Sequence, residues 1–171
     1  IGESAGYSNT TGGENIFIGN KAGFTTQTNY DNTFIGNYAG QLTTTGGGNV
    51  FLGNMAGNQN DVGFDNTFLG CFAGEMAQGG DRNVFVGFAA GSSYWGDNIT
   101  LIGSYTDVTG DGITNATAIG AGTIVDASDK VKIGNESVII VEFGGYPQIT
   151  DLQTDANGVL IDGASDKRLK H

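Results

Sequence analysis

Asn49-Val-Phe-Leu-Gly-Asn-Met-Ala-Gly57 decides the fold, because the chain repeats it with small changes every 17 residues. Sister copies begin at Asn15 (NIFIGNKAG), Asn32 (NTFIGNYAG), Asn66 (NTFLGCFAG) and Asn83 (NVFVGFAAG). The chain opens inside a copy, at Ile1-Gly2-Glu3-Ser4-Ala5-Gly6, with Gly2 lying 17 positions before Gly19. We therefore expect further sequence ahead of residue 1. A strict short period marks a solenoid, in which each repeat is one coil and finds its packing partners in the coils next to it.

Downstream, the repeat changes. Asn98-Ile-Thr-Leu-Ile-Gly103 and Asn115-Ala-Thr-Ala-Ile-Gly120 read as copies with one extra residue before the glycine, and Phe gives way to Thr and Leu, then to Thr and Ala. Val131-Lys-Ile-Gly134 is a last degenerate copy. From Gly87 onward the marker-glycine spacing relaxes from 17 to 16, 17 and 14, so the stack is expected to taper.

Asn-x-Phe-(Ile/Leu/Val)-Gly is too short for a helix and rich in β-branched and aromatic residues, which predicts a short strand. Side chains alternate faces along a strand. Phe17, Phe34, Phe51, Phe68 and Phe85 therefore share one face. Ile18, Ile35, Leu52, Leu69 and Val86 share the other with Ile16, Thr33, Val50, Thr67 and Val84. Both faces are largely apolar, yet a coil has one interior, so the second face calls for a partner. The simplest partner is another copy of the chain. Which face lies inside is left open. The Asn series (Asn15, Asn32, Asn49, Asn66, Asn83) recurs in register and suits a hydrogen-bonded ladder. The small Ala22, Ala39, Ala56, Ala73 and Ala90 suit a tight corner, and polar stretches such as Gln41–Gly48 suit an outer rim.

Composition agrees. Glycine is abundant, at 31 of 171 residues, but it is phased with apolar residues and shows no Gly-X-Y triplet, which excludes collagen and argues against disorder. Net charge is −11, and only 4 of the 7 basic residues precede Ser165, against 17 acids. That excludes a nucleic-acid surface. No apolar run is long enough for a transmembrane helix, so no membrane insertion is expected, and no signal peptide is visible.

The chain offers little for catalysis. Asn60–Asp65 and Thr109–Gly112 are rich in Asp, Asn and Gly, yet they lack the spacing of known calcium loops and read as turns. Asp81, Asp97 and Asp107 show no paired spacing of the glycosidase kind. Cys71, the single cysteine, replaces the Asn of Asn20, Asn37 and Asn54, and His171 has no companions. We expect no metal and no cofactor. Four aromatic residues fall between the repeat cores, where they would either pack or stack on a carbohydrate: Tyr30, Phe64, Tyr94 and Trp95. Tyr94-Trp95 is the sharpest signal, since a loop tryptophan seldom lacks a partner.

Beyond the repeats the words differ. Val138-Ile-Ile-Val-Glu-Phe143 predicts a strand, and Asn157-Gly158 before Val159-Leu-Ile161 predicts a hairpin turn. Ser165-Asp-Lys-Arg-Leu-Lys170 then gathers three of the seven basic residues, with Ser165 or Asp166 placed to cap a helix.

Two family resemblances follow. Over residues 1–137 the phased Asn-x-Phe-Ile-Gly copies, with Asn115-Ala-Thr-Ala-Ile-Gly-Ala-Gly122, resemble the head repeats of trimeric autotransporter adhesins. The family's period is usually shorter and poorer in Phe. The resemblance implies a left-handed parallel β-roll packed as a homotrimer. Ser165-Asp-Lys-Arg-Leu-Lys170 resembles the Ser-Asp-x-Arg-Leu-Lys opening of the C-terminal intramolecular chaperone of phage tail spikes and tail fibres. It implies a self-cleaving dyad, with Ser165 as nucleophile and a neutral Lys170 as its base. The chain departs from that family in ending at His171, before the body of such a chaperone.

The expectation is thus an all-β chain, a parallel β-solenoid of about 17 residues per coil packed as a homotrimer. Its parts are a head at 1–137, a β-rich connector at 138–164 and a chaperone start at 165–171. The expected function is structural: a distal tail-fibre-like trimer, in a virion or on a cell surface. It would bind a glycan or protein receptor and join fibre or baseplate proteins. A bacterial adhesin head is the first alternative and a polysaccharide-degrading solenoid enzyme the second. The chain is not expected to be a multiple-turnover enzyme.

Overall fold

Each repeat contributes one three-residue strand, and the repeat period lays successive strands side by side. The computed structural model describes residues 1–137 and the backbone of Leu152–Thr154 and Leu160–Asp162. The main strands are β1 (Ile16–Ile18), β2 (Thr33–Ile35), β3 (Val50–Leu52), β4 (Thr67–Leu69), β5 (Val84–Val86) and β6 (Thr100–Ile102). After the two-residue β7 (Asp107–Val108) come β8 (Thr117–Ile119), the short β9 (Ile124–Val125) and β10 (Val131–Ile133). Eight of them form one sheet in the order β1-β2-β3-β4-β5-β6-β8-β10, every neighbouring pair parallel. β7 and β9 pair in a second small parallel sheet. The result is a parallel β-solenoid of about seven coils of roughly 17 residues, with no helix among the described residues.

The chain divides into two units, Ile1–Ile139 and Ile140–His171. Within the second, β11 (Leu152–Thr154) and β12 (Leu160–Asp162) pair antiparallel. The expected turn at Asn157-Gly158 and the Val138–Phe143 strand lie outside the described residues.

The strands stop where glycine follows. Gly19, Gly36, Gly53, Gly70 and Gly87 hold φ between +133° and +147°, a region closed to L side chains. A Cβ at any of the first four would overlap the carbonyl oxygen of the next glycine in the series. Two residues on, Lys21, Tyr38, Met55 and Phe72 sit in the left-handed region at φ of 52–60°. That geometry costs roughly 1–2 kcal/mol per residue. It is held by bonds between coils: the Tyr38 N–H donates to the Asn20 carbonyl at 2.8 Å and Met55 to Asn37 at 2.9 Å.

The phenylalanines take the interior. Phe34, Phe51, Phe68 and Phe85 are fully buried. Their rings stack nearly parallel, with centroids 4.7, 4.8 and 4.7 Å apart, which is the strand spacing itself. Phe17 begins the column at 5.5 Å from Phe34 with a tilted ring. Leu101, Ala118 and the half-buried Lys132 continue the register, so the column narrows as the stack tapers. Ala22, Ala39, Ala56, Ala73 and Ala90 are fully buried as well.

The Asn ladder forms between side chain and backbone. The side-chain Oδ1 of Asn49 accepts the backbone N–H of Asn66 at 3.0 Å, while its Nδ2 donates to the Gly63 carbonyl at 2.8 Å. Asn32 and Asn66 repeat both bonds. One asparagine thus binds the backbone of the following coil twice.

The downstream copies correct the sequence register. Asn98 is not the next rung: Ile99, fully buried, gives its N–H to Asn83 Oδ1 at 2.8 Å. Asn98 instead continues the left-handed series of Glu14, Asp31, Asp65 and Arg82, with φ of 56°. The copy therefore carries no extra residue at the strand; the preceding loop is one residue shorter, and asparagine fills the left-handed position it tolerates better than most.

Candidate binding surface

With Phe turned inward, the alternate strand positions turn outward. Ile18, Leu52, Leu69, Ile102, Ile119 and Ile133 are each between 37% and 46% exposed, with Ile35 and Val86 half-buried in the same column. A second outward column runs Ile16, Thr33, Val50, Thr67, Val84, Thr100, Thr117, Val131. Eight parallel strands at ~4.8 Å spacing make this face about 34 Å long. An aromatic corner continues it: Phe88 meets Phe72 edge-on at 5.8 Å and Tyr105 at 5.2 Å.

Two clefts lie on the rim of the described coils. The larger, of about 630 Å³, is lined by Thr25, Leu42, Thr44, Gln59, Asp61, Val62, Gln78, Gly79 and Trp95. Thr25, Leu42 and Gln59 are one row at the repeat period, and Thr44, Asp61 and Gln78 another. Thr43, between the rows, is fully buried. The Thr44 hydroxyl donates to Asp61 Oδ1. The smaller cleft, of about 340 Å³, includes Tyr30, Asp31, Phe64 and Asp65.

The four expected rim aromatics are all exposed, at 54% for Tyr30, 45% for Phe64, 38% for Tyr94 and 39% for Trp95. They do not form one site. Trp95 lines the larger cleft, Tyr30 and Phe64 the smaller one, and Tyr94 neither. Tyr30 also packs over Gly13 and donates its hydroxyl to the Thr11 carbonyl at 3.1 Å, so part of its role is structural. The Trp95 backbone is pinned to the next coil: its N–H donates to Asp111 Oδ1 at 3.2 Å, and its carbonyl accepts the Gly112 N–H at 2.9 Å. Ser165 and Lys170 lie outside the described residues.

Electrostatics on the described residues are sparse. Burial is the main influence on Asp107 and raises its carboxyl above the ordinary value of 3.8, opposed by the Val108 N–H and by Ser93. The hydrogen bond from Lys130 lowers the exposed Asp126. Among the described residues no three His, Cys, Asp or Glu side chains converge as a metal site requires. The loop at Asn60–Asp65 serves the coil: Asn60 Nδ2 donates to the Ala77 carbonyl at 2.9 Å.

In comparisons with known proteins, no family model matches the chain and no curated protein matches it significantly. The groove-lining Gln59 and Gln78 escaped the reading of the sequence, while Asp61 and Thr44 were read only as turn and rim residues. Their signal was present as polar residues recurring at the repeat period in rim positions.

Proposed function

We propose that this chain is a structural fibre segment that assembles as a parallel homotrimer through its outward strand face and presents its rim loops to a target cell surface. The observation that carries the reading is the aliphatic column from Ile18 to Ile133. Taking the strand face as about 34 Å by about 10 Å gives ~340 Å² of outward surface, apolar along the whole Ile18–Ile133 column and half threonine along the other, a size typical of a monomer's largest patch, which is often functional. A second copy laid alongside in the same direction would match column to column, because both surfaces have the same period. The tail-fibre resemblance at Ser165–Lys170 and the adhesin resemblance over residues 1–137 point to the same organisation outside the cell. The first favours a virion fibre over a bacterial adhesin. In that setting Ser165 and Lys170 would perform a single self-cleavage once the trimer has formed.

Light scattering on the purified protein tests assembly. The expected mass is about three times the 17.6 kDa of one chain. Replacing Leu52 and Leu69 together by Asp should yield monomers with unchanged far-UV circular dichroism. A wild-type protein that runs as a clean monomer would refute the reading.

A further inference from the structure

The larger rim cleft has a composition and a periodicity that specify a ligand. Its lining holds a single charged side chain, Asp61, and no cation. Placed on a chain of net charge −11, such a cleft repels phosphates, nucleic acids and acidic sugars. What remains is the side-chain amides of Gln59 and Gln78, which both donate and accept, beside the Asp61 carboxylate and the Thr25 hydroxyl, whose proton goes to the Gln41 carbonyl. Polyhydroxylated ligands pair with that combination without needing an ion.

The cleft is also directional. Its residues recur from coil to coil, so equivalent polar groups lie ~4.8 Å apart along the stack axis. At the C-terminal end stands Trp95. Gly79 precedes it in the same rim row and carries no side chain, and Val62 lies one coil further back. The interval from Val62 to Trp95 is two coil spacings, about 9.6 Å; Val62 Cγ2 leans into the Gly79 slot, 3.2 Å from where a Cβ there would stand, and the indole beyond it is 39% exposed.

We infer that this cleft binds a linear, neutral glycan lying along the solenoid axis. One sugar ring packs on the Trp95 indole, and hydroxyls further along bond to Gln78, Asp61 and Gln59. The inference names the ligand class of the target-facing rim and so rests on the function proposed above.

Trp95 is the only tryptophan in the chain, so its fluorescence reports this cleft alone. Cellohexaose, maltohexaose and mannohexaose would each be titrated, with hexagalacturonate as the acidic counterpart. The expected result is a saturable change in emission with at least one neutral hexamer and none with hexagalacturonate. Gln78→Ala and Gln59→Ala each remove amide bonds and should weaken that binding about tenfold. Both lie on the rim, and circular dichroism would verify that the fold is kept. Silence toward all three neutral hexamers, an equal response to the acidic one, or full affinity in both variants would overturn the inference. Light scattering on the same samples separates the two ideas: trimers that bind no glycan refute the cleft alone, whereas monomers refute the assembly.

Discussion

Phe51 has one phenyl ring above it and one below, each within 5 Å and nearly parallel. Truncating it would open a void in the middle of the column. We expect Phe51→Ala to cost about 3–5 kcal/mol and Phe51→Leu well under half of that, since Leu101 already fills an equivalent place. Chemical denaturation of the two variants would measure both. Asn66 matters for a different reason. Its side chain satisfies the Asn83 N–H and the Gly80 carbonyl, both in the next coil. Asn66→Ala should leave two backbone groups without partners, at roughly 1–3 kcal/mol each. Asp107 gives a pH signature. Its folded carboxyl is raised by burial, so the fold favours the protonated form. Its contribution is therefore fully present below the ordinary 3.8 and is lost as pH rises through the folded value. Asp107→Asn should raise the melting temperature at pH 7 and lose that advantage below pH 3.8. Melting curves at the two pH values that gave equal gains would refute this.

A coil is the unit that the sequence states most plainly. The strands at Ile16–Ile18 through Val84–Val86, their parallel pairing and their in-register glycines all follow from one short phrase repeated at one period. What the phrase could not settle was orientation. Phe and Ile are both apolar, and alternation alone does not say which turns inward; burial does, with Phe34, Phe51, Phe68 and Phe85 fully enclosed and Ile18, Leu52 and Leu69 exposed. The register at Asn98 was also hidden, because asparagine suits both a ladder rung and a left-handed corner, and only the backbone distinguishes them. The rim was legible as rim but not as a cleft, since Gln59 and Gln78 gain meaning only when coils bring them into line. The coil also predicts a deletion. Removing residues 50–66 joins Asn49 to Thr67 and restores the phrase, so the variant should fold with stability lowered by one coil and its interface. Removing residues 54–61 breaks the period and should abolish the parallel-sheet signal in circular dichroism.

The described coils form a stack in which each depends on the next. Its acidic surface keeps such rods apart at long range, while the aliphatic column favours close lateral contact, so added salt should strengthen self-association by screening the repulsion. Sedimentation across a salt series would detect the opposite trend if the association were ionic. The direction of the hydrogen bonds has a mechanical consequence. They run along the stack axis, so tension applied along that axis pulls each coil from its neighbour in sequence, an unzipping geometry that yields at low force. Copies bound side by side would have to slide past one another before any coil could peel away, and the load would become shear. If the chain serves in the fibre proposed above, lateral bundling would be the source of its strength in tension.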